Sequence, residues 1–160
     1  IEGVTQVIEQ LLLPFCVASS GMESKMKFNL NLVGLLPYFE NKLFSCYTIQ
    51  KFKPEPDVFL WAAKTMGFQP HECVVIEDSV LGVQGALKGG FDVFGFTAHD
   101  TNKELEGLCT KTFDDMIMGG RSRINKGSKN FNNYIKKSNN HALKIGTEFS
   151  YFSYYLYNNI

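Results

Sequence analysis

Along the chain the spacing of apolar residues switches between the helical and the extended period, and each switch marks a predicted element. Residues 2–12 (EGVTQVIEQLL) put Val4, Val7, Ile8, Leu11 and Leu12 on one helical face, and Pro14 stops the pattern. The run 15–19 (FCVAS) then reads as a buried strand. A second helix is predicted over 21–32, with Met22, Met26, Leu30 and Val33 as its apolar side. Residues 42–48 (KLFSCYT) read as extended. Phe59, Ala62, Ala63 and Met66 recur at i, i+3, i+4 and i+7, which predicts a helix over 56–66 with Phe59 and Trp61 in the core. The β-branched run 73–78 (CVVIED) is a strand, 79–88 is a helix whose small Gly82, Gly85 and Ala86 permit close packing, and 92–96 (DVFGF) is one more strand.

Strands alternating with helices predict an α/β fold: three layers, with a doubly wound, mostly parallel sheet covered on both faces. Ligands of such sheets gather at the carboxyl ends of the strands. Those ends are where chemistry should be sought.

Composition divides the chain in two. Residues 1–120 carry 9 basic and 15 acidic side chains, whereas 121–160 carry 7 basic and 1 acidic, so a net charge of zero hides halves of −6 and +6. The second part also holds eight asparagines and five of the seven tyrosines, without a helical or strand period. We therefore expect a core domain over 1–118 and a divergent tail over 119–160 that is disordered or packed opportunistically. Its basic and aromatic content is too weak a pattern for nucleic-acid binding, and a nucleic-acid partner is not expected. Cys16, Cys46, Cys73 and Cys109 are widely spaced, form no C-x-x-C and read as small hydrophobes of a reduced, cytoplasmic protein. The longest apolar run, 11–18, is well short of a bilayer span, so no membrane partner is expected. His71, His99 and His141 lack ligand spacing, and the glycines of GVQGALKGG do not follow the dinucleotide-binding G-x-G-x-x-G pattern.

Three predicted strand ends carry polar groups suited to a phosphate ester and a divalent cation. Ser19-Ser20-Gly21 leaves a strand as a helix begins, where unpaired N–H groups and a partial positive charge favour an anion. Taken alone, Ser19 or Ser20 reads as merely an N-cap. Lys53 precedes Pro54 and Pro56, which stiffen the backbone that carries its ammonium. Glu77-Asp78 closes an apolar strand, and charges there need partners; a hard cation such as Mg²⁺ is one, capping of the following helix by Asp78 another.

In this order, on a repeating strand–helix pattern, these residues resemble the haloacid dehalogenase superfamily of hydrolases, in the subgroup that includes phosphoglycolate phosphatase and β-phosphoglucomutase. CVASSG is similar to that family's second motif, KPEPDVF to its third and VVIEDSVLGVQGALKGGF to its fourth, over residues 1 to about 115. The run 38–67 looks closest to sugar-phosphate phosphatases of the 6-phosphogluconate type. The resemblance implies a Rossmann-like core and Mg²⁺-dependent hydrolysis of a small-molecule phosphate ester, a sugar or sugar-acid phosphate, through an aspartyl-phosphate. It implies that Ser19 hydrogen-bonds the transferring phosphoryl group, with Ser20 and Gly21 adding contacts. Lys53 would neutralise charge, and Asp78 would bind Mg²⁺ with Glu77 assisting.

The chain also departs from the family pattern. The first motif, an apolar strand ending in D-x-D-G-[TV], supplies nucleophile and general acid, and no D-x-D occurs in the 160 residues. Asp114-Asp115 stands far beyond the fourth motif. The helical cap that selects substrate is missing too. The expectation is an incomplete catalytic core, a fragment or truncated product that is not competent alone, or else a non-catalytic phosphate-binding or interaction module. Because the missing strand would lie centrally, its neighbours should expose unpaired edges unless another segment, such as the aromatic-rich C-terminus, takes its place.

Overall fold

The computed structural model describes residues 4–114 and 142–145. Its elements run α1 (Val4–Gln10), β1 (Val17–Ser19), α2 (Glu23–Leu32), β2 (Leu43–Ser45), α3 (Cys46–Ile49), α4 (Asp57–Thr65), β3 (Cys73–Glu77), α5 (Val80–Lys88), β4 (Asp92–Phe96), β5 (Lys111–Phe113) and β6 (Ala142–Ile145). The strands form one sheet in the order β2-β1-β6-β3-β4-β5, and every neighbouring pair is parallel.

Alternation along the strands divides the core between the two faces. Val17, Val74, Ile76, Phe94 and Phe96 pack with α1 and α2 residues Val7, Ile8, Met26 and Leu30. Ala18, Cys73, Val75 and Val93 point the other way, against Val58, Phe59, Ala62, Val83 and Ala86 of α4 and α5. This is the predicted three-layer α/β architecture, with helices on both faces of a parallel sheet.

Several local expectations are corrected. The extended run predicted over 42–48 breaks after Ser45, because the Ser45 hydroxyl accepts a bond from Tyr47 N–H and caps the short α3, which Gln50 ends in a left-handed conformation. Leu12, predicted on the buried face of the first helix, lies beyond its end and is 90% exposed. Neither Ser19 nor Ser20 is an N-cap: α2 starts two residues later, with Met22 at its cap position and no side-chain cap bond. β5 was not foreseen, since its three residues carry one charge and no alternating pattern of useful length. Cys16, Cys46 and Cys73 are buried, and none of the four cysteines forms a disulfide. Phe59 is fully buried, while Trp61 is partly buried with its ring edge-on to Phe44 at 4.9 Å.

Most of the 119–160 segment lies outside the described residues, but its four described positions occupy the middle of the sheet. β6 pairs with β3 from Cys73↔Ala142 to Ile76↔Ile145 and meets β1 at Val17↔Ile145. It stands where the sequence led us to expect a gap. β1 and β3 are joined through it, and the flanking edge positions Val17, Val75 and Ile76 are at most 2% exposed. Among the described residues no helix is long and apolar enough to cross a membrane.

Candidate active site

The carboxyl end of β1 brings Ser19 into a nearly dry position, 3% exposed. Its Oγ accepts the Gly21 N–H at 3.0 Å, which folds the chain sharply away from the strand. The loop is held from the other side by Ser45, level with Ser19 in the β1–β2 register, whose hydroxyl donates to the Gly21 carbonyl at 2.7 Å. Ser45 was missed by sequence reasoning. Its signal was a hydroxyl closing a short apolar strand, the same pattern that singled out Ser19. Ser20, by contrast, is only half-buried.

Lys53 and Glu77 come together from 24 residues apart. The lysine Nζ lies 2.7 Å from Glu77 Oε2, with the two side chains 2% and 0% exposed. The ammonium also stands over the Phe59 ring, 5.0 Å from its centroid, so aromatic and carboxylate together replace its lost hydration. Glu77 is fully engaged. Its Oε1 accepts Asp78 N–H at 3.1 Å, Ser79 N–H at 3.1 Å and Ser79 O–H at 3.0 Å. Ser79 in turn caps α5 by accepting the Gly82 N–H at 3.1 Å. The helix cap belongs to Ser79, not to Asp78.

Asp78 is the member of the pair left open. Its Oδ1 is buried and has no hydrogen-bond partner. Burial first, and then the negative charge of Glu77 beside it, push its carboxyl up from 3.8 to about 8, so at neutral pH the isolated site holds a proton there. A buried carboxylate oxygen without a partner is a suitable ligand for a hard cation, which commonly takes one or two carboxylates and leaves its other positions to water and phosphate oxygens. Asp78 fits that role. Glu77, whose oxygens face Lys53 and its own turn, supports the site at one remove. No cluster of three or more His, Cys, Asp or Glu side chains capable of holding a metal by themselves occurs among the described residues. His71 and His99 are exposed, and His141 lies outside the described residues.

The predicted site residues thus gather on two strand ends, β1 with Ser19 and β3 with Glu77 and Asp78, and Lys53 reaches the second from the loop before α4. Residues 1–90 match the family model for haloacid dehalogenase-like hydrolases. The chain is 38% identical over 113 residues to 6-phosphogluconate phosphatase of Escherichia coli, a match covering 71% of this chain and 51% of that protein. It therefore spans about half the length of that relative. Among solved structures it is similar to a conserved haloacid dehalogenase-like protein of unknown function from Agrobacterium tumefaciens, with a TM-score of 0.66 and 32% identity over 71% of this chain and 55% of that one. A hydrolase of the same family from Deinococcus radiodurans, crystallised with bound phosphate and sodium, gives a TM-score of 0.66 at 27% identity, covering 70% and 53% of the two chains. With its sheet, its polar strand ends and these matches in agreement, the chain belongs to the haloacid dehalogenase-like hydrolase family.

Proposed function

We propose that this chain carries the phosphate- and cation-holding part of a phosphoric monoester hydrolase acting on a small sugar or sugar-acid phosphate, with Mg²⁺ as its cofactor. The observation that carries this reading is the pairing of a buried ammonium with an open carboxylate: Lys53 held at 2.7 Å by Glu77, and next to Glu77 the unpartnered oxygen of Asp78. A dry ammonium and a cation-binding carboxylate suit a dianionic phosphoryl group, whose transfer depends mostly on positioning and charge stabilisation. The relative's name, 6-phosphogluconate phosphatase, supports the substrate class.

Each side chain has a part in this reading. Ser19 donates a hydrogen bond to a phosphoryl oxygen, with Ser20 and Gly21 adding contacts at the same loop. Lys53 neutralises charge on the equatorial oxygens. Asp78, after losing its proton, holds Mg²⁺, which would polarise a phosphoryl oxygen when bound. Glu77 assists by holding Lys53 and the turn beneath Asp78.

Transfer through an aspartyl-phosphate needs a carboxylate nucleophile in a D-x-D setting, and none occurs in the 160 residues. We infer that the chain alone binds phosphate without turning an ester over. The same observation favours a second reading, a non-catalytic phosphate-binding module.

The deciding experiment is Mg²⁺-dependent hydrolysis of p-nitrophenyl phosphate by the 160-residue chain, with inorganic phosphate binding followed by thermal shift. The expected result is no turnover but a rise in Tm with phosphate and Mg²⁺ that Lys53→Met abolishes. Turnover that disappears in Asp78→Asn would overturn the claim of incompetence. A Tm indifferent to phosphate would overturn the site itself.

A further inference from the structure

Glycine in a helix interior costs about 1 kcal/mol relative to alanine, yet Gly82 sits inside α5 with no positive φ to demand it. What it supplies is space. A Cβ at this position would stand 2.1 Å from both Cδ and Oε2 of Glu77 and 2.5 Å from its Cγ. The Glu77 carboxylate therefore fills the volume that any side chain at position 82 would take. Oε2 is the oxygen that receives Lys53 Nζ, and Oε1 is pinned by Asp78 N–H, Ser79 N–H and Ser79 O–H. The carboxylate cannot turn aside without giving up one set of partners or the other.

The same helix face serves the lysine's own loop one turn later. A Cβ at Gly85 would come within 3.2 Å of the Pro54 carbonyl oxygen and 3.3 Å of that of Glu55. The backbone that follows Lys53 thus lies directly on α5. The carboxylate that receives the lysine's ammonium and the backbone that follows the lysine are both seated against glycines of one helix.

We propose that Gly82 is a positioning residue for Lys53, acting through the Glu77 carboxylate that its missing side chain admits against α5. The proposal rests on the reading of Lys53 as the cation facing the phosphoryl group. In place of a packing glycine that any small residue could replace, position 82 sets where the ammonium stands relative to Ser19 and Asp78.

The test uses the full chain carrying Gly82→Ala, with Gly34→Ala as a control, since a Cβ there meets nothing within 4 Å and its cost is the backbone strain of a φ of +72° at the end of α2. Two readouts are taken: the ¹⁵N-detected side-chain ammonium signal of Lys53, which a buried ion pair protects from exchange, and the affinity for inorganic phosphate. Gly82→Ala should lose or shift the Lys53 signal and bind phosphate roughly tenfold or more weakly, as expected for one lost charge-assisted bond. Gly34→Ala should keep both even if its Tm falls. Shortening the carboxylate with Glu77→Asp in the Gly82→Ala background should restore part of the signal.

An unchanged Lys53 signal and unchanged affinity in Gly82→Ala would overturn the proposal. If Gly82→Ala does not fold, the double variant decides: recovery of folding supports the clash with Glu77, and failure to recover overturns it. Should the parent chain bind no phosphate while its Lys53 signal still answers to Gly82→Ala, the proposed function falls and the positioning role stands.

Discussion

β3 and β6 lie side by side at the centre of the sheet, paired over four residues, and they could hardly have come from more different sequence. β3 is CVVIE, buried at every position, entered through a short 3-10 turn whose Gln69 and Glu72 cap each other, and left through the Ser79 cap of α5. It ends in Glu77, and Asp78 follows directly. β6 is ALKI, with a lysine in register with fully buried Val75, and it follows the preceding strand by 28 residues. It carries no motif. Yet β1 and β3, which end at Ser19 and at Glu77, are joined through it alone among the described strands. The comparison separates two tasks that a motif search merges: supplying the reactive groups, and holding the strands that bear them at a fixed spacing.

The strongest way to probe the β3 side is Glu77→Gln. The substitution leaves the Lys53 ammonium buried against a neutral partner, and breaking a buried pair from one side costs about 3–5 kcal/mol. Chemical denaturation should show that loss with the m-value unchanged. A shift below about 1 kcal/mol would mean that water or another group reaches Lys53, and the contrast between a dense β3 end and a bare β6 would fail.

The corresponding break in β6 is Leu143→Pro. Proline removes a ladder donor from a central strand and leaves its acceptor unpaired, which should cost about 1–3 kcal/mol. Its signature is spatial: hydrogen exchange should accelerate at the amides of β1 and along Cys73–Ile76, while the β4–β5 pairing stays protected. Unchanged exchange in β1 and β3 would show that 142–145 does not join them.

Much of the β3 half was legible in the sequence. The run of β-branched residues named the strand, and Lys53, Glu77 and Asp78 stood at its end or in the adjoining loop. What could not be read was the division of labour. Adjacent carboxylates look alike in sequence, but burial and hydrogen bonding commit Glu77 to Lys53 and the α5 cap and leave Asp78 open. Ser79 and the space at Gly82 were invisible because each acts through a contact made only after folding, whereas Ser45 showed the same strand-closing hydroxyl as Ser19 and its bond to the Gly21 carbonyl was what could not be read. β6 was hidden for another reason. A four-residue strand whose pairing depends on neighbours distant in the chain has no period to display, and lysine argues locally against it.

Asp78 offers a pH-dependent test. Its folded carboxyl keeps a proton to about pH 8, whereas the unfolded chain releases it near 3.8, so the folded state binds more protons between those values. Stability should therefore decline as pH rises through that window. Relative to Asp78→Asn, which has no proton to lose there, the parent Tm should fall between about pH 5 and pH 8, by a margin corresponding to a couple of kcal/mol after discounting for partial solvent access. Mg²⁺ at the upper end should recover the parent and not the variant. Parallel pH profiles would mean that Asp78 is hydrated and ordinary, and the β3 end would lose its open ligand.

The smallest effect expected is a gain, from Lys144→Val. Lys144 holds the register position opposite Val75, in a strand with neighbours on both sides. Central parallel strands are built from near-continuous apolar runs, and β-branched residues are favoured there by up to about 1 kcal/mol. If β6 is a true central strand that its sequence fits poorly, valine should raise Tm by a few degrees and slow exchange at the β3 amides without altering phosphate affinity. The same change at an unstructured site would leave both untouched. A fall in Tm would be the most instructive outcome, because it would mean that the lysine has a charged partner and that β6, like β3, brings a polar group of its own to the centre of the molecule.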